Sequence, residues 1–372
     1  MPQAFLSAVL TAPQKVELRE APFPPKLEAN EVLIEVAAAG ICGTDLAIYS
    51  GEYRVPLPLV LGHEFSGRVV ESCAGARGKR LVGKWVTAEI NNTCVAYGRR
   101  SRCEACRRGL PTHCQRRTVV GIVGHDGAFA QYLRVPIGSV HVLPRSISPK
   151  AGVFVEPLAA AIRTFELTPL AGGKTVVVLG CGRLGKLIAL VARKLGARVI
   201  AVGRRATKIA AVAEYASELV ALGDPTVESP TQPVPKRKDG GRLRVQRLAN
   251  AGELQMLVMD RTRGLGADVV VEATGCAQNL ELALKLVRPR GTIALKSTPG
   301  VPMERWDTTM TAVDEVCIQG SRCGPFDKAI AFMEEHGVPN ESWITAEFPL
   351  EQCAEALEAA RTQPKVVLTI GS

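Results

Sequence analysis

Cys42 and His63 are the first residues in the chain whose types and spacing could support metal chemistry. They lie in two segments that each begin with glycine and contain a second one, residues 40–45 and 62–67. A thiolate and an imidazole are ligands that Zn²⁺ accepts, and a catalytic zinc has three protein ligands and one open position. Neighbouring glycines allow the sharp turns that would point both side chains at one ion. The sequence therefore predicts a metal site, the alternative being a buried cysteine and a core histidine that never meet.

Glu156 begins an apolar segment, residues 155–162, in which Pro157 suits the first turn of a helix. A carboxylate at the start of a buried helix either caps that helix or binds something. Glu156 is therefore a candidate further ligand to the ion at Cys42 and His63. The alternative is an acidic residue that only stabilises the helix start.

Four more cysteines form a second candidate metal site, namely Cys94, Cys103, Cys106 and Cys114. Cys103 and Cys106 have the CxxC spacing that lets two thiolates bind one tetrahedral ion at about 2.3 Å per sulfur. Four thiolates leave no open position, so the pattern predicts a closed, structural zinc site. Because eight residues separate Cys94 from Cys103, that part is a loop, and free or partly used thiols are the alternative.

A glycine-rich turn follows the apolar strand predicted at residues 175–179 and precedes a helical pattern. This GxGxxG turn spans residues 180–185, and its candidate cofactor-binding residues are Gly180, Gly182, Arg183, Leu184 and Gly185. Between a strand and a helix, the pattern is typical of a dinucleotide-binding site, because the glycines let a pyrophosphate approach the helix N-terminus.

The end of the next predicted strand, residues 198–202, indicates which dinucleotide is bound. An Asp or Glu at this point would bind the adenosine ribose of NAD and repel a 2′-phosphate. Here the strand is followed by Gly203, Arg204 and Arg205, and two guanidinium groups favour capture of a phosphate. The sequence therefore favours NADP over NAD, the alternative being that both arginines face water.

Length, composition and charge restrict the class of protein. A chain of 372 residues with 47% hydrophobic and 22% charged residues is expected to form two globular domains. No apolar run approaches a membrane span, and the first residues do not resemble a signal peptide, so a cytoplasmic protein is expected. The net charge of +10 permits an anionic ligand. The basic stretches are loop-like and lack interleaved aromatic residues, which argues against nucleic acid.

The order of strand and helix patterns predicts an α/β fold class with two domains. Short alternating runs predict a mostly β domain over residues 1–153. Strands then alternate with helices, which predicts a doubly wound parallel sheet over 154–299. Within it, a segment at 225–247 rich in proline and basic residues is predicted to be a flexible insertion. Residues 300–372 are expected to return to the first domain.

These motifs together resemble those of the zinc-dependent medium-chain alcohol dehydrogenases over almost the whole chain. The motifs that carry the resemblance are residues 42–45, 62–67 and 106–114, Glu156 with Pro157, and the glycines at 180, 182 and 185. The pair Glu156 and Pro157 resembles the pattern of the polyol and threonine dehydrogenase branch of this family, where a glutamate stands in place of a cysteine of other members. The resemblance implies a GroES-like catalytic domain, a Rossmann coenzyme domain, zinc in the cleft between them, and a homodimer or homotetramer.

The reaction implied by this resemblance is the reversible oxidation of an alcohol, either a secondary alcohol or a polyol, with a nicotinamide cofactor. Zinc would be held by Cys42, His63 and Glu156, with Glu64 adjacent and able to exchange in. Thr44 would accept the proton of the alcohol before hydride passes to the nicotinamide. Thr44 and Glu64 are therefore the candidate catalytic residues.

The sequence departs from the family pattern at three places. Residues 95–102 look like an insertion of about six residues into the four-cysteine lobe. A second, longer insertion follows Asp224. Ala47 stands where many relatives have a histidine that passes the proton to solvent, so the proton would leave through Thr44 and water, or through another group such as Tyr49 or Tyr53. Ala47 and the basic insertion also motivate the alternative of a non-catalytic protein of this fold that binds NADP or a polyanion.

Overall fold

The computed structural model describes residues 3–223, 245–297, 303, 306 and 308–371. The chain divides into two compact units, Met1–Ala159 with Pro325–Ser372, and Ala160–Gly324. Most of the predicted insertion at 225–247, namely residues 225–244, lies outside the described residues. Its last three residues instead belong to a strand of the second unit.

The strands of the described residues range from two to ten residues in length. They are β1 (Ala4–Ala12), β2 (Lys15–Pro22), β3 (Glu31–Gly40), β4 (Leu59–Val60), β5 (Glu64–Ser72), β6 (Trp85–Ala88), β7 (Asn91–Asn92), β8 (Thr118–Val119), β9 (Tyr132–Pro136), β10 (Val140–Val142), β11 (Thr175–Leu179), β12 (Arg198–Gly203), β13 (Glu218–Leu222), β14 (Val245–Leu248), β15 (Ala267–Glu272), β16 (Val287–Leu295), β17 (Cys317–Gly320), β18 (Ala346–Pro349) and β19 (Val366–Thr369).

The longer helices belong mostly to the second unit. The α-helices are α1 (Gly43–Ser50), α2 (Gly75–Lys79), α3 (Glu104–Arg107), α4 (Val155–Leu167), α5 (Arg183–Lys194), α6 (Ala206–Ala210), α7 (Ala251–Arg261), α8 (Asn279–Leu286), α9 (Thr308–Val313), α10 (Phe326–His336) and α11 (Cys353–Ala359). Short 3₁₀ turns lie at Pro111–His113, Ile137–Ser139, Ala151–Phe154, Glu341–Trp343 and Leu350–Gln352. Among the described residues, no helix is long and apolar enough to cross a membrane.

The first unit is mostly β, as predicted. Its larger sheet has the strand order β10-β6-β5-β3-β19-β18, with β9 also paired to β3, and a smaller sheet has the order β2-β1-β4. The central strand β3 is buried along nearly its whole length. At its end, Gly40 lies opposite Glu64 of β5 and Val367 of β19. Three strands from distant parts of the sequence therefore end beside Cys42.

The second unit contains a seven-stranded parallel sheet with the order β14-β13-β12-β11-β15-β16-β17. The central strand β11 is buried at every residue, as expected for a parallel strand that helices cover on both faces. The predicted doubly wound sheet is confirmed. The first unit resumes at Pro325 and not at the predicted residue 300, because β17 is still the edge strand of this sheet.

Candidate active site

The structure brings Cys42, His63 and Glu64 together in the first unit. One ligand atom of each residue lies within 4.8 Å of the others. Cys42 is the N-cap of α1, and the other two residues lie at the start of β5. His63 and Glu64 are each 3% exposed, and Cys42 is half-buried. The antiparallel pairing of β3 with β5 thus places a thiol, an imidazole and a carboxylate around one point.

Asp45 contacts both the Cys42 segment and the segment of His63 and Glu64. Sequence reasoning missed this role. The Asp45 carboxylate is fully buried and accepts hydrogen bonds from the amides of Cys42, at 2.8 Å, and Gly62, at 3.2 Å. The same carboxylate lies 3.2 Å from Nδ1 of His63. Asp45 stands three residues after the N-cap Cys42, and its side chain closes a capping box there. That spacing is the sequence signal that could have identified it.

The charges around His63 and Cys42 suit a bound cation. Burial lowers the pKa of His63, but Asp45 and Cys42 outweigh it and raise that pKa well above its ordinary value. Burial and the Glu64 carboxylate raise the pKa of the Cys42 thiol. The Nδ1 atom of His63 has no hydrogen bond of normal geometry among the residues described. A thiol, an imidazole and acidic groups buried together are the donor set that fits Zn²⁺.

Glu64 has a second partner that sequence reasoning also missed. The ammonium group of Lys365 forms an ion pair with Oε2 of Glu64, and both side chains are buried. Lys365 directly precedes β19, 301 residues after Glu64 in the chain. Its Nζ atom lies 5.0 Å from the centre of the Phe154 ring. No local pattern could have indicated this pair, because the sheet alone brings the two residues together.

The other residues predicted for the catalytic site are not members of the group formed by Cys42, His63 and Glu64. Glu156 lies in the first turn of α4 and is 9% exposed, but it is not a member of the group within 4.8 Å, so its role as a ligand stays a prediction. The Thr44 hydroxyl lies 3.9 Å from Cys42 Sγ. Tyr49 contacts Glu358, and burial together with that carboxylate raises its pKa. Tyr53 is 43% exposed.

The four predicted zinc-binding cysteines form a second compact group. Cys94, Cys103, Cys106 and Cys114 are all buried, and their sulfurs lie within 4.8 Å of one another. The Sγ atom of Cys114 is 3.5 Å from that of Cys94 and 3.6 Å from that of Cys103. These separations approach the edge of about 3.8 Å expected for a tetrahedron with 2.3 Å metal–sulfur bonds. Amide groups, that of Cys106 most strongly, lower the pKa of Cys103.

The glycine-rich turn of the second unit is open at one end and tight at the other. Gly182 is the N-cap of α5, and a Cβ atom at this position would meet nothing within 4 Å. At Gly185, a Cβ would lie 1.8 Å from the carbonyl oxygen of Gly180, so only glycine allows the helix to pack there. Arg183 and Leu184 form the first turn of α5. Free space at a helix N-terminus suits a pyrophosphate.

A cationic cluster adjoins this turn. Strands β11 and β12 are parallel neighbours that pair Leu179 with Val202, so the exposed Arg204 and Arg205 follow a strand end next to the turn. Gly203 is packed against the turn, since a Cβ there would lie 3.3 Å from Cys181 Sγ. Burial and the charges of Arg205, Arg183 and Arg204 lower the pKa of Lys208. Lys208, which sequence reasoning missed, is thus a fourth cation here.

Comparison with known proteins identifies the family. Residues 28–145 match the alcohol dehydrogenase GroES-like domain, and residues 184–335 match the zinc-binding dehydrogenase family. The chain is 34% identical over 276 residues to an L-threonine 3-dehydrogenase of Pyrococcus abyssi. The alignment covers 73% of this chain and 69% of the relative. The chain belongs to the zinc-dependent medium-chain alcohol dehydrogenases. The predicted family, fold class and enzyme class are therefore confirmed.

Two further matches extend along nearly the whole dehydrogenase. It is 29% identical over 361 residues to a sorbitol dehydrogenase of Halalkalibacterium halodurans, covering 95% of each chain. It superposes with a TM-score of 0.79 and 26% identity on a protein described as a zinc-binding dehydrogenase from Sinorhizobium meliloti 1021 bound to NADP. That match covers 99% of this dehydrogenase and 100% of the other chain. Both matches favour a working dehydrogenase over the alternative of a non-catalytic binding protein.

Proposed function

We propose that the dehydrogenase oxidises a secondary alcohol or polyol to the matching carbonyl, and catalyses the reverse reduction, with NADP as coenzyme. The observation that carries the proposal is the buried group of Cys42, His63 and Glu64, which Asp45 orders. The relatives support the substrate class, because sorbitol and threonine both have a hydroxyl group on a secondary carbon. The four-cysteine group would hold a second, structural zinc.

Cys42 and His63 would hold the catalytic zinc, with Glu156 or Glu64 as a third ligand. When bound, zinc supplies Lewis acidity that lowers the pKa of a coordinated hydroxyl group. Asp45 keeps the Cys42 and Gly62 backbones in place and contacts the imidazole, so the ligands stay oriented. The Thr44 hydroxyl, close to Cys42 Sγ, supports a role for Thr44 as acceptor of the substrate proton. Exclusion of water would favour hydride transfer to the nicotinamide.

The preference for NADP rests on Arg204 and Arg205. These guanidinium groups follow β12 directly, where an acidic residue would have repelled a 2′-phosphate. Arg183 and Lys208 add to the positive charge at the same place. A phosphate in this position would receive charge-assisted hydrogen bonds, which are stronger than neutral ones.

The experiment is a panel of polyols, amino alcohols and aliphatic alcohols, each assayed with NADP and with NAD. We expect Arg204→Ala to lower kcat/KM for NADP about thirtyfold, the loss of one charge-assisted hydrogen bond of about 2 kcal/mol, and to change the value for NAD less than about twofold. Arg193→Ala, which removes an exposed arginine at the far end of α5, is the matched control. Equal rates with both coenzymes, unchanged in Arg204→Ala, would contradict the NADP assignment.

The oligomeric state is a separate part of the proposal. The family resemblance leads us to expect a homodimer or homotetramer. Sedimentation velocity of the purified chain measures this directly, and a 39.7 kDa species at all concentrations would contradict it.

A further inference from the structure

A cavity of about 150 Å³ lies at the amino edge of the parallel sheet in the second unit. The glycine-rich turn follows β11 and therefore lies at the opposite, carboxyl edge, because β11, β15, β16 and β17 run in parallel. The volume is several times the roughly 30 Å³ that one water molecule occupies. Polar residues line the cavity from the end of α4 and the beginnings of these strands, namely Thr168, Lys174, Asp268, Arg288, Arg290 and Cys317.

The charged side chains around the cavity have an excess of positive charge. Lys174 Nζ and Arg288 Nε lie 3.1 Å and 2.9 Å from Oδ1 of Asp268, so one carboxylate faces two cations. Arg290 contacts Glu315 at 3.2 Å, but these side chains are 80% and 69% exposed, and such exposed pairs contribute little. Even with Glu315 counted, the cations outnumber the carboxylates by three to two.

Thr168 contributes a buried hydroxyl group to the wall of the cavity. The residue is 4% exposed, and its Oγ1 atom has no hydrogen-bond partner within the part of the chain that the structure describes. A buried polar group without a partner is destabilising and uncommon in native proteins. Its position beside three cations indicates that a ligand oxygen is the missing partner.

We propose that this cavity binds a phosphate-type oxyanion, either inorganic phosphate or the phosphate group of a small molecule. The walls provide an ammonium, two guanidinium groups and a hydroxyl group, and a tetrahedral oxyanion has enough acceptor oxygens to use all of them. A carboxylate has only two oxygens and would leave some of these donors unused. The inference does not depend on the proposed dehydrogenase activity, because the cavity and the coenzyme turn lie at opposite edges of the sheet.

The test uses Cys317, which borders the cavity and is exposed, as a reporter of occupancy. The zinc-loaded enzyme is first saturated with NADP, so that the proposed 2′-phosphate site is filled. We expect inorganic phosphate to slow alkylation of Cys317 by iodoacetamide about fivefold or more, with half-maximal protection at roughly millimolar concentration. Potassium chloride at the same pH and ionic strength should not protect. Cys73, an exposed cysteine of the first unit, is the internal control.

Two variants test the named contacts. Thr168→Val keeps the shape of the side chain without its hydroxyl, and Arg290→Gln removes a mostly exposed cation. Each should raise the phosphate concentration for half-maximal protection about tenfold, the loss of one hydrogen bond of an ionised group. The matched controls are Thr164→Val, whose buried hydroxyl also lacks a described partner but does not line the cavity, and Arg193→Gln, at the exposed end of α5.

The line width of the phosphate signal in phosphorus NMR is a second measurement that needs no reactive thiol, and it decides the question where Cys317 does not react. Exchange with the cavity should broaden this signal, and Thr168→Val and Arg290→Gln should narrow it. Glycerol phosphate identifies the source of the anion. Tighter binding of this ester than of inorganic phosphate would favour the phosphate group of a small molecule, and equal or weaker binding would favour the free ion.

The outcomes that overturn the proposal are distinct from failure of the coenzyme assignment. Protection no greater than that by potassium chloride, with an unbroadened phosphate signal, would overturn it, as would equal binding in Thr168→Val, Arg290→Gln and their controls. Protection that is lost in Arg204→Ala would assign the phosphate to the coenzyme site and also overturn it. Equal rates with NADP and NAD would contradict the coenzyme assignment alone and leave the protection of Cys317 unchanged.

Discussion

The two candidate metal groups of the first unit are built in opposite ways. The four cysteines come from one short segment, residues 94–114, and all four donors are buried sulfurs. The group at Cys42 combines three kinds of donor from the ends of β3 and β5, and one of them is also paired with the C-terminal segment. In this chain the closed group is encoded within one segment, whereas the group at Cys42 depends on the sheet that brings distant residues together.

The largest expected difference between the two groups is in catalysis. Cys42→Ser should lower kcat/KM by about 10³ or more, because several kcal/mol of transition-state stabilisation come from the metal. The thermal unfolding temperature should change little, since Cys42 is the N-cap of α1 and is only half-buried. Cys73→Ser, at an exposed cysteine, is the control. An active Cys42→Ser variant would remove the distinction.

Cys106→Ser should show the reverse pattern. Loss of one ligand from a closed site is expected to reduce the free energy of unfolding by about 3 kcal/mol, because metal binding there contributes to folding. Activity per folded molecule should stay within about threefold of the parent, since a structural metal contributes to folding and not to the reaction. Urea unfolding followed by circular dichroism measures the first quantity. A variant as stable as the parent would show that the thiols bind no metal.

Asp45→Asn tests whether the ligands at Cys42 and His63 must be held in orientation by a charged neighbour. Asparagine keeps the shape of the side chain but loses the negative charge beside His63, so we expect zinc affinity or activity to fall about tenfold to a hundredfold. Competition with a chelator of known affinity gives the zinc dissociation constant. Asp126→Asn is the matched control, because Asp126 also accepts a backbone hydrogen bond, from Val60, without contacting His63.

The smallest effect is expected for Tyr49→Phe. Burial and Glu358 raise the pKa of Tyr49, so the phenol remains protonated at neutral and mildly alkaline pH and does not release a proton. Tyr49 also follows Thr44 by five residues, which places it on another face of α1. We therefore expect kcat to change less than about twofold with an unaltered pH profile. A tenfold loss with a shifted profile would instead make Tyr49 part of the proton route.

Local sequence patterns predicted most of the fold. They also predicted the groups of site residues that lie within one short segment of the chain. The buried strand, GxGxxG turn and helix at 175–194 predicted the parallel sheet, because each part has a distinct pattern. Strand β17 was assigned to the wrong unit. It is a short edge strand with mostly exposed residues, and nothing in its composition indicates which sheet it joins. The strand Val245–Leu248 was likewise placed in the predicted insertion.

The parts of the site that could not be predicted are those that tertiary packing creates. Lys365 meets Glu64 only because β19 pairs with β3, and Arg183 joins Arg204, Arg205 and Lys208 only because β11 and β12 are neighbours in the parallel sheet. Asp45 differs, because its spacing from Cys42 matches a capping box and was readable in advance. The relation of Glu156 to the ligand group depends on how α4 packs, which helix-start signals do not determine.

The metal content of purified variants tests the central claim most directly. If Cys42 and His63 share one zinc and the four cysteines share another, the parent should contain about two zinc ions per chain. Cys42→Ser and His63→Ala should each retain about one, with kcat/KM lowered by about 10³ or more on an alcohol that the parent oxidises. A Cys42→Ser or His63→Ala chain that keeps the parental zinc content, or that oxidises this alcohol as fast as the parent, would contradict the account.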